Sequence, residues 1–223
     1  MADDVSKVCS DFLRQEFTGL KASHARELVA AFFGYKSHAA LLADKRYSVD
    51  DVDIAEVLVP DEFMMNERRR NLNGLPDLPP SYKIACELAD FLQAEELFTG
   101  EVWHTWDIGE YVKDDYLPEH VNDDLDFLLE DVIKEANAVF EDIDYDSADC
   151  EDENHGITVT VLGTYSGFGL DDEKFSGDTI DMKVEVYLRR CAGRVAFEEP
   201  EVEVSGEINQ DYLKDEEADE VPA

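Results

Sequence analysis

The chain has 223 residues, 44% of them hydrophobic, with 12 Phe, 9 Tyr and 2 Trp, which sets it apart from acidic disordered chains that cannot bury enough apolar surface to offset chain entropy. Its 55 acids against 19 bases leave a formal net charge of −36, far beyond the magnitude of about 2–8 that keeps a small domain soluble. Residues 1–75 hold 13 acids and 10 bases and residues 76–223 hold 42 and 9, an asymmetry that excludes a uniform halophilic surface.

The expected domains are therefore a near-neutral helical one (1–75), a strongly acidic one (76–213) and a disordered acidic tail (214–223). The acidic N-terminus MADDVSKVCSDF lacks the apolar run of a signal peptide. No stretch approaches the ~20 apolar residues of a membrane span. Cys9, Cys86, Cys150 and Cys191 have no paired spacing and read as reduced thiols. These features predict a cytoplasmic protein, or a nuclear one where the host has a nucleus, without a membrane partner.

In chain order, Val5, Val8, Cys9 and Phe12 recur at helical spacing and predict a helix over 3–16. LKASHARELVAAFFGYKSHAALLAD then reads as a helical hairpin. Ser23 is the expected N-cap, Leu28, Val29, Phe32 and Phe33 form the apolar stripe, Gly34 is the stop, and Ser37 caps a second short helix with Ala40, Leu41 and Leu42. Ser37, His38, Ala39 and Ala40 are poor material for a DNA recognition helix, so the hairpin is expected to pack or to mediate homodimerisation. Arg68, Arg69 and Arg70 are expected to pair with acids of the following domain. NLNGLPDLPPS (71–81) marks the boundary.

The acidic domain opens with an expected helix near 82–98, carrying Ile84, Ala85, Leu88, Phe91 and Leu92. The stretch 101–120 reads as irregular or short helix, with Trp103 and Trp106 expected mainly in the core and otherwise as interface anchors. From Asn122, expected as N-cap, Leu125, Leu128, Leu129, Val132, Ile133, Ala136, Val139, Phe140 and Ile143 predict one amphipathic helix over 122–143. An acidic loop should follow. Period-two alternation then predicts strands at 157–163 and 178–190, and at 194–208 with a break near Pro200, CAGR (191–194) being a turn. The fold class expected is α+β: an N-terminal helical domain, then helices packed on a small antiparallel sheet.

The hairpin, through His24, Glu27, Leu28, Ala30, Gly34, Tyr35, Ser37 and Leu41, resembles a short helical module of phage and plasmid proteins and of the N-terminal extensions of some glyoxalase-like proteins. That resemblance implies a mobile-element context. Nothing downstream matches the repeated βαβββ units or the His and Glu metal ligands of glyoxalase-type chemistry.

The candidate binding residues lie on the 122–143 segment and just before it: Asp114, Asp115, Glu119, Asp123, Asp124, Asp126, Glu130, Asp131, Glu135, Glu141 and Asp142. Lys134 is the only base of 122–143. Like charges on one helix face destabilise it by about 0.2–0.5 kcal/mol per pair, so helix stability does not account for the pattern. Duplex DNA carries one negative charge per ~1.7 Å of axis, and a folded array of carboxylates would fit the same basic groove. In charge the chain is similar to the DNA-mimic class of anti-restriction and anti-CRISPR proteins of phages and plasmids. That likeness implies an inhibitor whose partner is a basic nucleic-acid-binding protein, such as a host defence nuclease, with no direct nucleic-acid contact.

Two other readings stand beside it. Asp142, Asp144, Asp146 and Glu153 fall at positions 1, 3, 5 and 12 of a calcium-loop pattern, although Ser147 stands where that loop needs Gly, so a calcium or enzymatic site in 142–153 is one alternative. A histone-like acidic chaperone is the other. His24, His38, His104, His120 and His155 show no zinc spacing, GTYSGFG (163–169) lacks a phosphate-loop Lys, and no nucleophile triad emerges. The expectation is a non-enzyme without a cofactor.

Overall fold

The computed structural model describes residues 4–136, 138–169 and 179–209. The expected tail, 214–223, lies outside them. The fold is α+β, as the periodicity predicts, and it divides into two compact units: residues 1–106, 153–157 and 188–200, and residues 107–152, 158–187 and 201–223.

The first unit is built on α1 (Val5–Glu16), α2 (Ala22–Phe32), α3 (His38–Ala43), α4 (Glu62–Asn71) and α5 (Ser81–Ala94). Asp4 caps α1 by accepting the Lys7 amide, and Ser37 caps α3 by accepting the Ala40 amide. Ser23 does not cap α2. That helix starts two residues earlier, behind Lys21, within the range over which helix ends shift. Gly34 takes φ +79°, the left-handed conformation that costs a residue without a Cβ least, and ends α2. Cys9, Leu13, Leu28, Phe32, Phe33, Ile84, Leu88, Leu92 and Phe98 are fully buried in one continuous cluster.

The stretch 71–81 joins α4 to α5 inside this unit, because the apolar face of α5 is needed by the same cluster. The arginine run also stays local. Arg68 pairs with Glu27 at 2.7 Å, and Arg69 donates to Ser81 Oγ and the Leu78 carbonyl. Neither arginine takes the expected carboxylate of the following domain: Arg68 takes one from α2, and Arg69 a hydroxyl and a carbonyl.

The strands are β1 (Val57–Leu58), β2 (Glu101–Val102), β3 (Ala138–Glu153), β4 (Gly156–Gly169), β5 (Thr179–Ala192), β6 (Ala196–Phe197) and β7 (Glu201–Ile208). Their order is β2-β1-β6-β5-β4-β3, with β7 also on β5. The sheet is mixed and not wholly antiparallel, since β1 and β2 run parallel. β5 turns at Gly193 into β6, and after Pro200 the chain resumes along β5 as β7. Ile180, Met182, Val184, Val186 and Leu188 are buried and alternate with exposed or half-buried neighbours, as read from the sequence.

In the second unit the helical pieces are short: α6 (Ile108–Tyr111), running through a π turn into α7 (Leu117–His120), then α8 (Leu125–Leu128) and α9 (Glu130–Ala136). The single helix expected over 122–143 is not formed. Asn122 sits in a 3-10 turn, and its side-chain oxygen accepts the Tyr145 hydroxyl at 2.8 Å and caps nothing. Helix ends at Ala136, and the expected acidic loop is strand β3.

Candidate partner-binding surface

All eleven candidate carboxylates are exposed, and all belong to the second unit. α6 and α7 with the turn between them carry Asp114, Asp115 and Glu119. The 3-10 turn, α8 and α9 carry Asp123, Asp124, Asp126, Glu130, Asp131 and Glu135, and β3 carries Glu141 and Asp142. Short amphipathic pieces form here because Val112, Leu117, Val121, Leu125 and Leu129 are each nearly or fully buried, leaving the intervening acids to solvent.

The described bases of this unit are already engaged. Lys113 meets Glu110 at 2.7 Å and Asp114 at 3.6 Å, Lys134 bonds Glu130, and Lys183 meets Glu185 at 3.1 Å. Donating to the Glu110 and Glu130 carboxylates holds the first two ammonium groups above their ordinary pKa. Asp126 is anchored by the Tyr165 hydroxyl at 2.8 Å. Burial, then the neighbouring Asp126, pushes that phenol up to about 12.

β3 explains how the acids are aimed. Its inward positions are Ala138, Phe140, Ile143, Tyr145 and Ala148. Phe140 packs on Tyr165, Tyr145 bonds Asn122, and Ala148 and Cys150 lie against Gly109 of α6. Steps of two along a strand keep one face, so the three-residue steps 140–143 and 145–148 each insert an extra residue, as a bulge does. β4 confirms the first. Gly167 lies against the backbone of Val139 and Phe140, and Gly163 lies against Asp144 and Tyr145, so four residues of β4 span five of β3. A Cβ at either glycine would run into a β3 carbonyl. The insertions let the apolar residues stay inside while Glu141, Asp144, Asp146, Asp149 and Glu151, all exposed, take the outward positions.

The calcium-loop pattern therefore falls on an extended strand. Asp142 and Asp146 are separated by ~13 Å of strand, and Glu153 stands at its far end, so the four candidates do not converge as the loop pattern requires. Among the described residues no group of three His, Cys, Asp or Glu side chains is placed to hold a metal.

The two tryptophans part company. Trp103 is fully buried and its indole donates to Glu101, whereas Trp106 is 90% exposed. Cys86 lies 3.8 Å from His104 Nδ1, a pair that spacing did not reveal. Burial, with Glu62 and Asp90 nearby, raises the thiol pKa, the opposite of what activates a nucleophile.

The hairpin residues serve packing. Leu28 and Ala30 are fully buried, and His24 is nearly so, its Nδ1 without a hydrogen-bond partner among the described residues. Tyr35 donates to Asp44 and the Tyr47 carbonyl beneath the Arg194 guanidinium.

Comparison of the chain with protein-family models, with curated proteins and with solved structures finds no match in any of the three.

Proposed function

We propose that this protein is a nucleic-acid mimic that binds a basic DNA- or RNA-binding protein and inhibits it by occupying its polynucleotide groove. The observation that carries the reading is the concentration of exposed charge. Residues 107–152 hold 18 acids and two lysines, and both lysines are ion-paired within their own helical turn. Same-face neighbours on a helix lie ~5–6 Å apart and alternate residues on a strand ~6.6 Å apart. Carboxylates at these spacings form a dense anionic lattice on a packed scaffold. A groove that binds polynucleotide chiefly by charge would meet it with little reorganisation.

The test is displacement. A basic nucleic-acid-binding domain is loaded with a fluorescent duplex, and the full chain is titrated in at several salt concentrations. Displacement is expected, weakening steeply with salt. The variant D123K/D124K/E130K/D131K should lose it at least tenfold at low salt while keeping its circular dichroism. Undiminished displacement by that variant rejects the proposal. Equal affinity for every basic protein offered, irrespective of a nucleic-acid groove, would instead identify a general acidic chaperone.

A further inference from the structure

The outer face of the β5–β7 ladder presents a second acidic surface, independent of the helices and β3. Its register opposes Ile180 to Ile208, Met182 to Gly206, Val184 to Val204 and Val186 to Val202 on the inner side. On the outer side Asp181 opposes Glu207, Lys183 opposes Ser205, Glu185 opposes Glu203, and Tyr187 opposes Glu201. Directly opposed side chains have Cβ atoms ~4.5–5.5 Å apart, and like charges there are destabilising. Two of the four outer rungs are such acid pairs. Lys183, the one base among these eight residues, reaches Glu185 at 3.1 Å.

The Asp181–Glu207 rung has no cation partner among the described residues, and Asp181 only accepts the Asn209 side-chain amide at 3.1 Å. Beside it, Leu162 of β4 is 47% exposed. An open depression of about 350 Å³ is lined there by Leu162, Asp181, Lys183, Ser205, Gly206 and Glu207. Lys183 is drawn to Glu185, and Leu162 beside two carboxylates without a cation partner suits a side chain with an aliphatic stem and a cationic end.

We propose that this depression seats a lysine or arginine side chain of a basic protein partner, the stem on Leu162 and the charge between Asp181 and Glu207. This rests on the reading that the partner is basic, but it uses a surface that the mimic reading does not need.

The test uses octa-arginine and octa-lysine as probes of the full chain, read by methyl NMR and calorimetry. The Leu162 methyl signals should shift. D181N/E207Q should weaken peptide binding at least fivefold, whereas the control D53N/E56Q, which removes the same charge from exposed positions of the first unit, should weaken it less than twofold. Because D181N/E207Q relieves a like-charge rung, its melting temperature should rise, which separates lost binding from lost fold. Tighter binding of octa-arginine would assign a guanidinium bridging both carboxylates, and tighter binding of octa-lysine would assign an ammonium.

Equal losses in the two double variants, or unmoved Leu162 methyls, overturn the inference. So does calcium that moves the same signals and displaces the peptide. If D123K/D124K/E130K/D131K abolishes duplex displacement while the peptides ignore Asp181 and Glu207, this inference falls and the mimic reading stands.

Discussion

The two units of this chain divide stability and charge between them. The first holds a continuous cluster of fully buried aliphatic and aromatic side chains, and its net charge is −8. The second has smaller apolar strips under short helices and a sheet, and its net charge is −28. In the first unit polar residues are used up internally, as Glu27 with Arg68 and Tyr35 with Asp44 illustrate. In the second most described carboxylates face water, with three described lysines to answer them. Self-repulsion of that kind opposes compactness, so the second unit is the one whose sequence reflects a demand beyond folding.

The sharpest way to break the comparison is to remove apolar volume from the first unit. Leu88→Ala, in a fully buried position, should cost about 2–5 kcal/mol. Hydrogen exchange, which resolves regional opening, should show faster exchange in α1, α2 and α5 and little change in β7. Equal loosening of both units would mean that they do not hold separate cores.

Salt should act the other way round. At 1 M the Debye length shrinks to ~3 Å, which screens repulsion in the second unit far more than in the first. A rise of about 4–8 °C in the melting of that unit would correspond to ~1 kcal/mol of relieved repulsion. A flat salt response would indicate that its charges are already balanced.

Alkaline titration gives the smallest effect and sharpens the local picture. Tyr165 and Tyr145 in the second unit and Tyr35 in the first are all pushed up to about 12, in each case mainly by burial. A phenol whose folded pKa is raised contributes stability that is present below its unfolded pKa of ~10 and lost as pH rises through 12. Unfolding should therefore become easier between pH 10 and 12, followed by tyrosinate absorbance. D126N should lower the Tyr165 value only in part, since the carboxylate is the lesser cause. A full return to the ordinary value would show that burial does not govern it.

How far the chain could be read in advance depends on how cleanly apolar spacing separates helix from strand. β5 was legible because Ile180 to Leu188 alternate without interruption, and α2 because Leu28, Val29, Phe32 and Phe33 close a stripe before Gly34. β3 was not. Ala136, Val139, Phe140 and Ile143 satisfy the three-and-four spacing of a helix, yet the step from Phe140 to Ile143 is equally the step of a strand with one inserted residue. The candidate acids were legible as exposed positions, but the apposition of Asp181 with Glu207 was not, because cross-strand register is invisible until two strands are paired.

The amino-acid sequence by itself determined that this chain folds, that its negative charge crowds into the later part, and which residues are too apolar to face water. Composition and local period suffice for those, since they depend on neighbours along the chain. Tertiary structure alone decided where the units divide, that α5 joins the first core, that 138–153 is extended, and which carboxylates oppose one another. Each of those rests on contacts between residues far apart in sequence, whose energies local patterning does not encode.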